Sequence, residues 1–506
     1  MKKNICFCFI LSILFFTINV TAQPSFIKDS LDKYINDGMR DWQIPGLAIV
    51  IIKDGKVITM KGYGVRNINS TDAVDENTLF MIASNTKLFT GTALAQLEYY
   101  KKLSLDDKIT KYITDFELYD KTSTALVTIK DMLSHRIGTK TFQGDFTFFD
   151  GNLSRNEIMY KMRFLKPIGL FRQDYGYCNS CFLTAGEIIP RVTNKPWEVY
   201  IYDSIFEPLQ MKNTLALSKG INFIKNSAKP YTTSFTGKLN EVPYDVWDNL
   251  APAASIVSNV SDLSHWLQMQ LDNGKYNGKQ IIPQQAILKT RDVNISTGSR
   301  KSSIYPIHFR GYGLGIFAAD YNGKQMYWHT GGASGMVSNV CFVPEEKLAI
   351  AILTNNDNQN FFEALRYQIL DSYLGVNYVN RSQQQLPLFM QSEKKSVNDV
   401  LALQARQKNT TPPLLLENYV GTYENELYGK IIVTQEENYL SIKFKSHDNL
   451  TATVKYLDKN EWMITYNNIL YGIFPLKFKI EKEKVISVDI KANDFIEYDA
   501  YTFLKQ

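Results

Sequence analysis

The segment Met81-Ile-Ala-Ser-Asn-Thr-Lys-Leu-Phe-Thr-Gly-Thr-Ala-Leu-Ala-Gln-Leu-Glu98 is the most informative part of this 506-residue sequence. Its apolar residues recur at roughly helical spacing after Ser84, which predicts a helix beginning at or just before that serine. Lys87 follows one turn later on the same face, so its amine can reach the Ser84 hydroxyl. A serine becomes a good nucleophile when an adjacent base takes its proton, and a desolvated lysine is one such base. The amino terminus of the helix would also favour a developing oxyanion.

The Ser-x-x-Lys spacing alone is a weak indication, because it also occurs at Ser25, Ser30 and Ser392. A purely structural serine is the alternative at every such position. Ser84 differs from the others because two further polar motifs follow it, beginning at Tyr177 and at His329.

The first 22 residues are expected to be a secretory signal peptide. Lys2 and Lys3 precede an apolar run from Ile5 to Val20, and Val20-Thr-Ala22 has the small residues of a cleavage site. Cleavage after Ala22 predicts a secreted or periplasmic protein. A retained anchor is the alternative, but the run is short for a membrane span, so no stable membrane anchor is expected.

Composition and charge exclude several classes of function. The chain is 44% hydrophobic and 21% charged, which is typical of a globular protein, and its length predicts two or three domains. A formal net charge of +5 is too small and too mixed with acidic residues to indicate nucleic-acid binding. No His-Glu-x-x-His motif is present and the five histidines are scattered, so we expect neither a metal site nor a cofactor.

Cys178-Asn-Ser-Cys181 has the spacing of a redox motif, which makes thioredoxin-like chemistry an alternative function. The residues around it lack the Trp-Cys-Gly-Pro-like sequence and the nearby strand–helix repeat of such proteins. We therefore expect two packed thiols or a local disulfide at this position.

The pattern of elements predicts an α+β domain over residues 23–376. An amphipathic helix from Ser25 to Arg40 precedes a hairpin that turns at Asp54-Gly55, and later strand-like runs are expected to join it in one antiparallel sheet. Residues 377–412 are rich in Gln, Ser, Asn and Pro and are expected to be a linker around one helix-like segment, Val397 to Gln407. Short, regularly spaced strand runs over residues 413–506 predict a small all-β barrel or sandwich.

The second motif, Tyr177-Cys-Asn179, lies at a predicted loop-to-helix transition. From irregular backbone, a phenol and a carboxamide two positions apart can both point into one cleft. Tyr177 can relay the Ser84 proton if a neighbouring ammonium lowers its pKa. Asn179 can hold a substrate amide oxygen or fix Lys87. The alternative is a helix-capping Asn beside a buried Tyr.

The third motif, His329-Thr330-Gly331-Gly332, ends a strand-like run. The two glycines allow a ligand to approach the strand edge closely, and a main-chain N–H there, with that of Ser84, would form an oxyanion hole. A glycine-rich strand end with a solvated histidine is the alternative.

The three motifs in this order resemble those of the serine β-lactamase and penicillin-binding-protein superfamily, in its class C-like branch of β-lactamases, esterases and D-amino-acid peptidases. Further matching phrases place the resemblance over roughly residues 25–375: Leu103-Ser-Leu-Asp-Asp107, Asp131-Met-Leu-Ser-His-Arg-Ile-Gly138, Pro208-Leu-Gln-Met211 and Leu353-Thr-Asn355. The segment after Pro413, with Tyr419-Val-Gly-Thr-Tyr423, resembles the lipocalin-like domain appended to some of these hydrolases.

The resemblance implies an antiparallel sheet of five to nine strands flanked by helices, with a helical lobe that carries Tyr177. Ser84 would be acylated, Lys87 and Tyr177 would share the proton transfers, and the N–H groups of Ser84 and Gly332 would form the oxyanion hole. Asn179 and residues 329–332 would bind substrate. The expected substrates are small amides, short peptides or esters.

Two departures from the family pattern bear on function, namely Cys178 in place of the usual Ser and His329 in place of the usual Lys. Histidine has a reference pKa near 6.5 against about 10.4 for lysine, so it is a weaker anchor for a carboxylate at neutral pH. We therefore expect poor β-lactam hydrolysis and better activity on uncharged esters or on amides without a terminal carboxylate. We also expect carboxylate-bearing substrates to bind better below about pH 6.5, where His329 becomes cationic.

Other functions remain open at this level. A weakly catalytic penicillin-binding or ligand-sensing protein would keep the same fold, and a β-lactamase proper would keep the same motifs. A Ser-His-Asp hydrolase is disfavoured because no Gly-x-Ser-x-Gly elbow is present. The C-terminal barrel contributes no recognisable catalytic motif, and we expect it to promote homo-oligomers or to cover the mouth of the cleft.

Overall fold

A computed structural model describes residues 23–407 and 411–506. The expected signal peptide, residues 1–22, lies outside the described residues. Within the described ranges, no helix is both long and apolar enough to cross a membrane.

The N-terminal domain is built on one antiparallel sheet, which is eight-stranded in the described part of the chain. Across the sheet its strands are Lys56–Gly64, Gly46–Lys53, Leu348–Thr354, Met336–Val343, Lys324–Ala333, Phe317–Tyr321, Arg310–Tyr312 and Ile295–Gly298. The predicted hairpin and the predicted antiparallel sheet are confirmed. The strand Gly46–Lys53 is apolar without alternation because helices cover both faces of the sheet. Leu47, Ile49 and Ile51 pack on one side, and the residues between them pack on the other.

Helices flank this sheet and form a separate lobe. A π-helical turn at Phe26–Ser30 leads into the first helix, Leu31–Asp41, which matches the predicted amphipathic segment and packs on the sheet with Phe361–Tyr373. The other α-helices of the domain are Thr86–Tyr99, Lys121–Leu126, Ile129–Leu133, Asp145–Phe148, Arg155–Lys161, Asn179–Gly186, Ile188–Thr193, Trp197–Ile201, Ala251–Ala254, Val260–Leu271 and Gln284–Arg291.

The segment between the domains is more ordered than its composition indicates. In place of the short helix expected at Val397 to Gln407, a 25-residue helix spans Arg381–Ala405. Its first turn is held to the N-terminal domain, because Arg381 forms a buried ion pair with Asp371 at 2.7 Å and Ser382 accepts a hydrogen bond from the Trp42 indole at 2.9 Å. Such tertiary contacts offset the cost of Pro387, which lies inside the helix and removes one of its hydrogen bonds.

The C-terminal domain is a closed barrel whose eight strands all lie within the described residues. They are Gly421–Asn425, Gly429–Gln435, Leu440–Phe444, Thr451–Asp458, Glu461–Tyr466, Ile473–Glu481, Lys484–Ile490 and Tyr501–Lys505. The prediction of a small all-β barrel is confirmed, and the last strand closes it by pairing with Gly421–Asn425. Closure removes the exposed edges that an open sheet of this size would present.

Candidate active site

Ser84 lies on a tight turn between the sheet and a buried helix. A short strand, Phe80–Met81, leads into a 3-10 turn, Ala83–Asn85, and the α-helix Thr86–Tyr99 follows directly. Ala83 has a φ of 48°, a left-handed conformation that typically costs a non-glycine residue about 1–3 kcal/mol. The turn leaves Ser84 partly exposed while both its neighbours are buried. The helix start predicted near Ser84 is confirmed.

Lys87 is fully buried beneath this turn, with three oxygens around its amine. Its Nζ lies 3.1 Å from Ser84 Oγ, 2.7 Å from Asn179 Oδ1 and 2.9 Å from the Ala253 carbonyl oxygen. Burial lowers the pKa of Lys87 from 10.5 to about 7, although the nearby Asp145 carboxylate opposes this shift. The neutral amine is therefore well populated near pH 7.

The same three contacts orient the neutral amine. The Asn179 and Ala253 oxygens can only accept hydrogen bonds, so they take the two N–H groups of an uncharged lysine. The remaining lone pair then faces the Ser84 hydroxyl. This arrangement can remove the serine proton as a nucleophile forms.

Tyr177 lies over Lys87, with the amine 4.7 Å from the centre of its ring. Burial raises the pKa of Tyr177 well above its usual value, although Ser84 lies close enough to oppose the shift. The condition set above, that a neighbouring ammonium lowers the pKa of Tyr177, is not met, because desolvation dominates. The Tyr177 hydroxyl has no hydrogen-bond partner among the described residues. A neutral phenol in this position can donate a proton but is a poor base.

Asn179 begins the helix Asn179–Gly186 and is held by a residue that the sequence did not identify. Its Nδ2 donates to Asp145 Oδ2 at 2.5 Å, which turns the amide oxygen toward Lys87. Burial raises the pKa of Asp145 well above its usual range, with the hydrogen bond from Asn179 opposing that rise. Asp145 begins the short buried helix Asp145–Phe148, and it is separated from Asn179 by 34 positions.

His329 is buried rather than solvated, and its ring nitrogens lie 3.0 Å from the Tyr312 hydroxyl and 2.8 Å from the Thr330 carbonyl oxygen. Burial, together with the charge of Lys87, lowers the pKa of His329 to about 3. It therefore stays neutral across physiological pH. The expected gain in carboxylate binding below pH 6.5 is wrong for this reason.

His135 is a second buried histidine of the site, and the sequence analysis assigned it no role. Its ring lies 4.2 Å from that of Tyr177, centre to centre, and its Nδ1 accepts a hydrogen bond from the Cys178 N–H at 3.0 Å. That bond leaves the ring proton on Nε2 in the neutral form. Burial lowers the pKa of His135 well below its usual value. This histidine thus packs and orients the Tyr177 segment.

Residues 329–332 form the last part of the strand Lys324–Ala333, which ends one residue after Gly332, as the sequence predicts. The neighbouring strand Phe317–Tyr321 stops pairing at Trp328, so the following residues have one edge free of it. Gly331 is required here, because an added Cβ would lie 2.0 Å from the Ile82 carbonyl oxygen. This close approach brings Thr330 and Gly332 into the same cleft as Ser84.

The cleft has a volume of about 500 Å³, which suits a small ligand. Its walls are largely aromatic and include Phe142, Phe149, Trp247, Phe317, Phe495 and Tyr498. The charged side chains that line it among the described residues are Asp145 and Asp357; neither Lys nor Arg is among them. Burial raises the pKa of Asp357 to about 6. Larger cavities elsewhere, such as one near Arg291, lack a paired serine and base.

Cys178 and Cys181 are free, buried thiols. Cys178 Sγ lies 3.2 Å from Ser180 Oγ, within the helix that Asn179 begins. In this structure they are packed thiols, one of the two outcomes expected from their spacing.

The sheet with its two helical layers and the Ser84–Lys87–Tyr177 cluster define the class of protein: a fold of the serine β-lactamase and penicillin-binding-protein type. The chain belongs to the Beta-lactamase family, whose model matches residues 31–374. A second model, a domain of unknown function (DUF3471), matches residues 405–504.

Comparisons with known proteins agree with this assignment. Protein flp of Staphylococcus aureus (strain N315) is 27% identical over 357 residues, which cover 68% of this chain and 67% of the relative. Unguisins hydrolase ungD of Aspergillus violaceofuscus is 25% identical over 434 residues, covering 80% of this chain and 76% of that protein. The structure of the octameric penicillin-binding protein homologue from Pyrococcus abyssi matches with a TM-score of 0.60 and 22% identity, covering 94% of this chain and 99% of the other. At that identity the structural likeness concerns the fold.

Proposed function

We propose that the protein is a serine hydrolase that forms an acyl-enzyme on Ser84 and cleaves small, uncharged amides or esters. The observation that carries this proposal is the buried Lys87 amine, with a pKa of about 7 and a lone pair directed at Ser84. A general base works best when its pKa lies near the operating pH. A protein that only binds ligand has no need of a desolvated lysine beside a serine.

In the proposed reaction, Ser84 Oγ attacks the substrate carbonyl carbon while Lys87 Nζ takes the serine proton. The developing oxyanion lies at the N–H groups of Ser84 and Gly332, as the family resemblance implies. The leaving group then departs with a proton supplied by Lys87 directly or through the Tyr177 hydroxyl. Water then attacks the acyl carbon while Lys87 takes one of its protons. The bond between the acyl carbon and Ser84 Oγ breaks, Lys87 returns the proton to Oγ, and the acid is released.

The composition of the cleft supports uncharged substrates. The Asp357 carboxylate, which is ionised above its pKa of about 6, would repel a carboxylate, and the neutral His329 cannot replace the lysine that would anchor one. Aromatic walls favour an apolar group instead. The Aspergillus relative is named as a hydrolase, which is consistent with bond hydrolysis by this chain.

The test compares wild type with Ser84→Ala for covalent labelling by a fluorescent phosphonate and for turnover of esters, D-amino-acid amides and β-lactams. We expect labelling and turnover in the wild type alone, because loss of the nucleophile commonly lowers kcat by several orders of magnitude. A matched Ser392→Ala variant, altering a Ser-x-x-Lys serine on an exposed helix, should behave as wild type. Labelling that survives Ser84→Ala would disprove the assignment.

Location and assembly are further parts of the proposal. Secretion or export to the periplasm is supported by the leader-like sequence of residues 1–22. A homo-oligomer is supported only by analogy with the octameric archaeal homologue. Mass determination of the full chain by light scattering tests the second point.

A further inference from the structure

A loop of the barrel domain reaches into the catalytic cleft. Residues 493–499, called here the 493–499 loop, connect the strands Lys484–Ile490 and Tyr501–Lys505. Phe495 and Tyr498 from this loop line the same cleft as Ser84. The cleft therefore takes part of its wall from a domain that carries none of the three motifs.

Phe495 lies directly against the strand edge beside the nucleophile. A Cβ added to Gly332 would lie 2.7 Å from Phe495 Cε2, so the ring contacts the main chain at that position. The ring also meets Phe149 edge to face, with centroids 6.1 Å apart. In the proposed acyl-enzyme, the acyl carbon is bonded to Ser84 and its oxygen would lie at the Gly332 N–H. The Phe495 ring would then lie beside the acyl group.

The free edge of the strand Lys324–Ala333 would otherwise accept an extended chain. Its neighbour stops pairing at Trp328, and main-chain groups beyond that point could bind a peptide or align a long acyl chain along the edge. The Phe495 ring occupies the approach to that edge at Gly332. An acyl group long enough to run along the strand would meet the ring.

The 493–499 loop is held firmly enough to act as a wall. Glu497 is buried, and its carboxylate accepts hydrogen bonds from the Gly144 and Phe146 N–H groups at 2.8 and 3.2 Å. Two tyrosine hydroxyls of the barrel, Tyr428 and Tyr501, donate to the same carboxylate at 2.6 Å each.

A second set of contacts fixes the two ends of the loop. Asn493 donates from its side chain to the Leu470 carbonyl oxygen at 2.9 Å. At the other end, Asp499 pairs with Lys140 of the hydrolase domain at 2.6 Å. These contacts tie the 493–499 loop to both domains.

We propose that Phe495 is a specificity-determining residue that restricts the substrate to short acyl groups. This inference rests on the proposed acyl-enzyme function and narrows its substrate class to esters and amides of small acids. The barrel domain, through this one ring, sets the length of acyl group that the cleft admits.

The experiment measures kcat/KM for p-nitrophenyl acetate, butyrate and octanoate, which differ only in the acyl chain. Wild type is expected to prefer acetate. Phe495→Ala should raise the octanoate-to-acetate ratio by about tenfold or more, since a few methylenes admitted to an apolar pocket are worth at least that much. Phe495→Leu should give a ratio between those of the wild type and Phe495→Ala. Phe474→Ala, which removes a barrel aromatic outside the cleft, should keep the wild-type ratio.

The outcomes separate the two levels of inference. An octanoate-to-acetate ratio unchanged in Phe495→Ala, in an enzyme that still turns over acetate through Ser84, would overturn the role of Phe495 and leave the hydrolase standing. An equal rise of the octanoate-to-acetate ratio in Phe474→Ala would also overturn the role of Phe495, because the rise would then come from general destabilisation of the barrel. Absence of Ser84-dependent turnover in the wild type would overturn the proposed function, and this inference with it.

Discussion

The pH dependence of turnover offers a direct test of Lys87 as the base. An exposed lysine with a pKa of 10.5 would have about one neutral amine in three thousand at pH 7, whereas a pKa of about 7 makes about half of the amines neutral. The neutral form is the active one, so activity falls as pH falls through 7. We expect kcat/KM for p-nitrophenyl acetate to drop about tenfold for each pH unit below 7 and to level off above about pH 8.

Steady-state rates between pH 5.5 and 9, followed at a wavelength where nitrophenol absorbance is independent of pH, give the profile. His329 titrates near pH 3 and the pKa of Tyr177 is raised, so neither changes charge in this window. Asp357, with a pKa raised to about 6, does titrate there, and Asp357→Asn is the control for its contribution. Lys87 would not be the general base if kcat/KM were constant between pH 6 and 8, or if it fell only below about pH 10. The same conclusion would follow if the fall below pH 7 disappeared in Asp357→Asn.

The remaining predictions concern Tyr177 and Glu497. Tyr177→Phe should slow acylation by about 10²- to 10⁴-fold, as expected for loss of a proton-transfer group. Its Tm should change little, because the hydroxyl has no hydrogen-bond partner among the described residues. Pre-steady-state kinetics measures the first effect and thermal denaturation the second. Activity within a few-fold of wild type would exclude Tyr177 from the relay. Glu497→Gln should lower the free energy of unfolding by about 1–3 kcal/mol, because an amide cannot accept all four hydrogen bonds made to the carboxylate. Urea denaturation measures the free energy of unfolding. The control Glu481→Gln, at an exposed position, should leave it unchanged. Equal stability of the two variants would contradict the role given to Glu497.

The sequence was most informative where chemistry depends on local spacing. Ser84 and Lys87 share a helix face because they are three residues apart, and Tyr177 and Asn179 flank the start of another helix. The order of the motifs was enough to predict that these side chains meet. The antiparallel sheet was likewise predictable, because apolar strand runs and the Asp54-Gly55 turn are local signals.

Other features could not be predicted because they depend on packing between distant segments. No sequence motif around Asp145 indicates its contact with Asn179. No motif around Glu497 indicates that its carboxylate accepts a hydrogen bond from Gly144 in the other domain. The pKa shifts of His329 and Tyr177 come from burial, which a motif does not reveal. The helix Arg381–Ala405 forms in a sequence of linker-like composition because its contacts with the hydrolase domain stabilise it.

The anchoring of Gly144 by Glu497 also affects how the two domains can change over evolution or by engineering. Gly144 directly precedes Asp145, which orients Asn179 and through it Lys87. A foreign barrel grafted onto this hydrolase would leave two buried main-chain donors without an acceptor, unless it carried a carboxylate at the equivalent place. The two domains are therefore not interchangeable modules, and substitutions at their contact must be compensated on both sides.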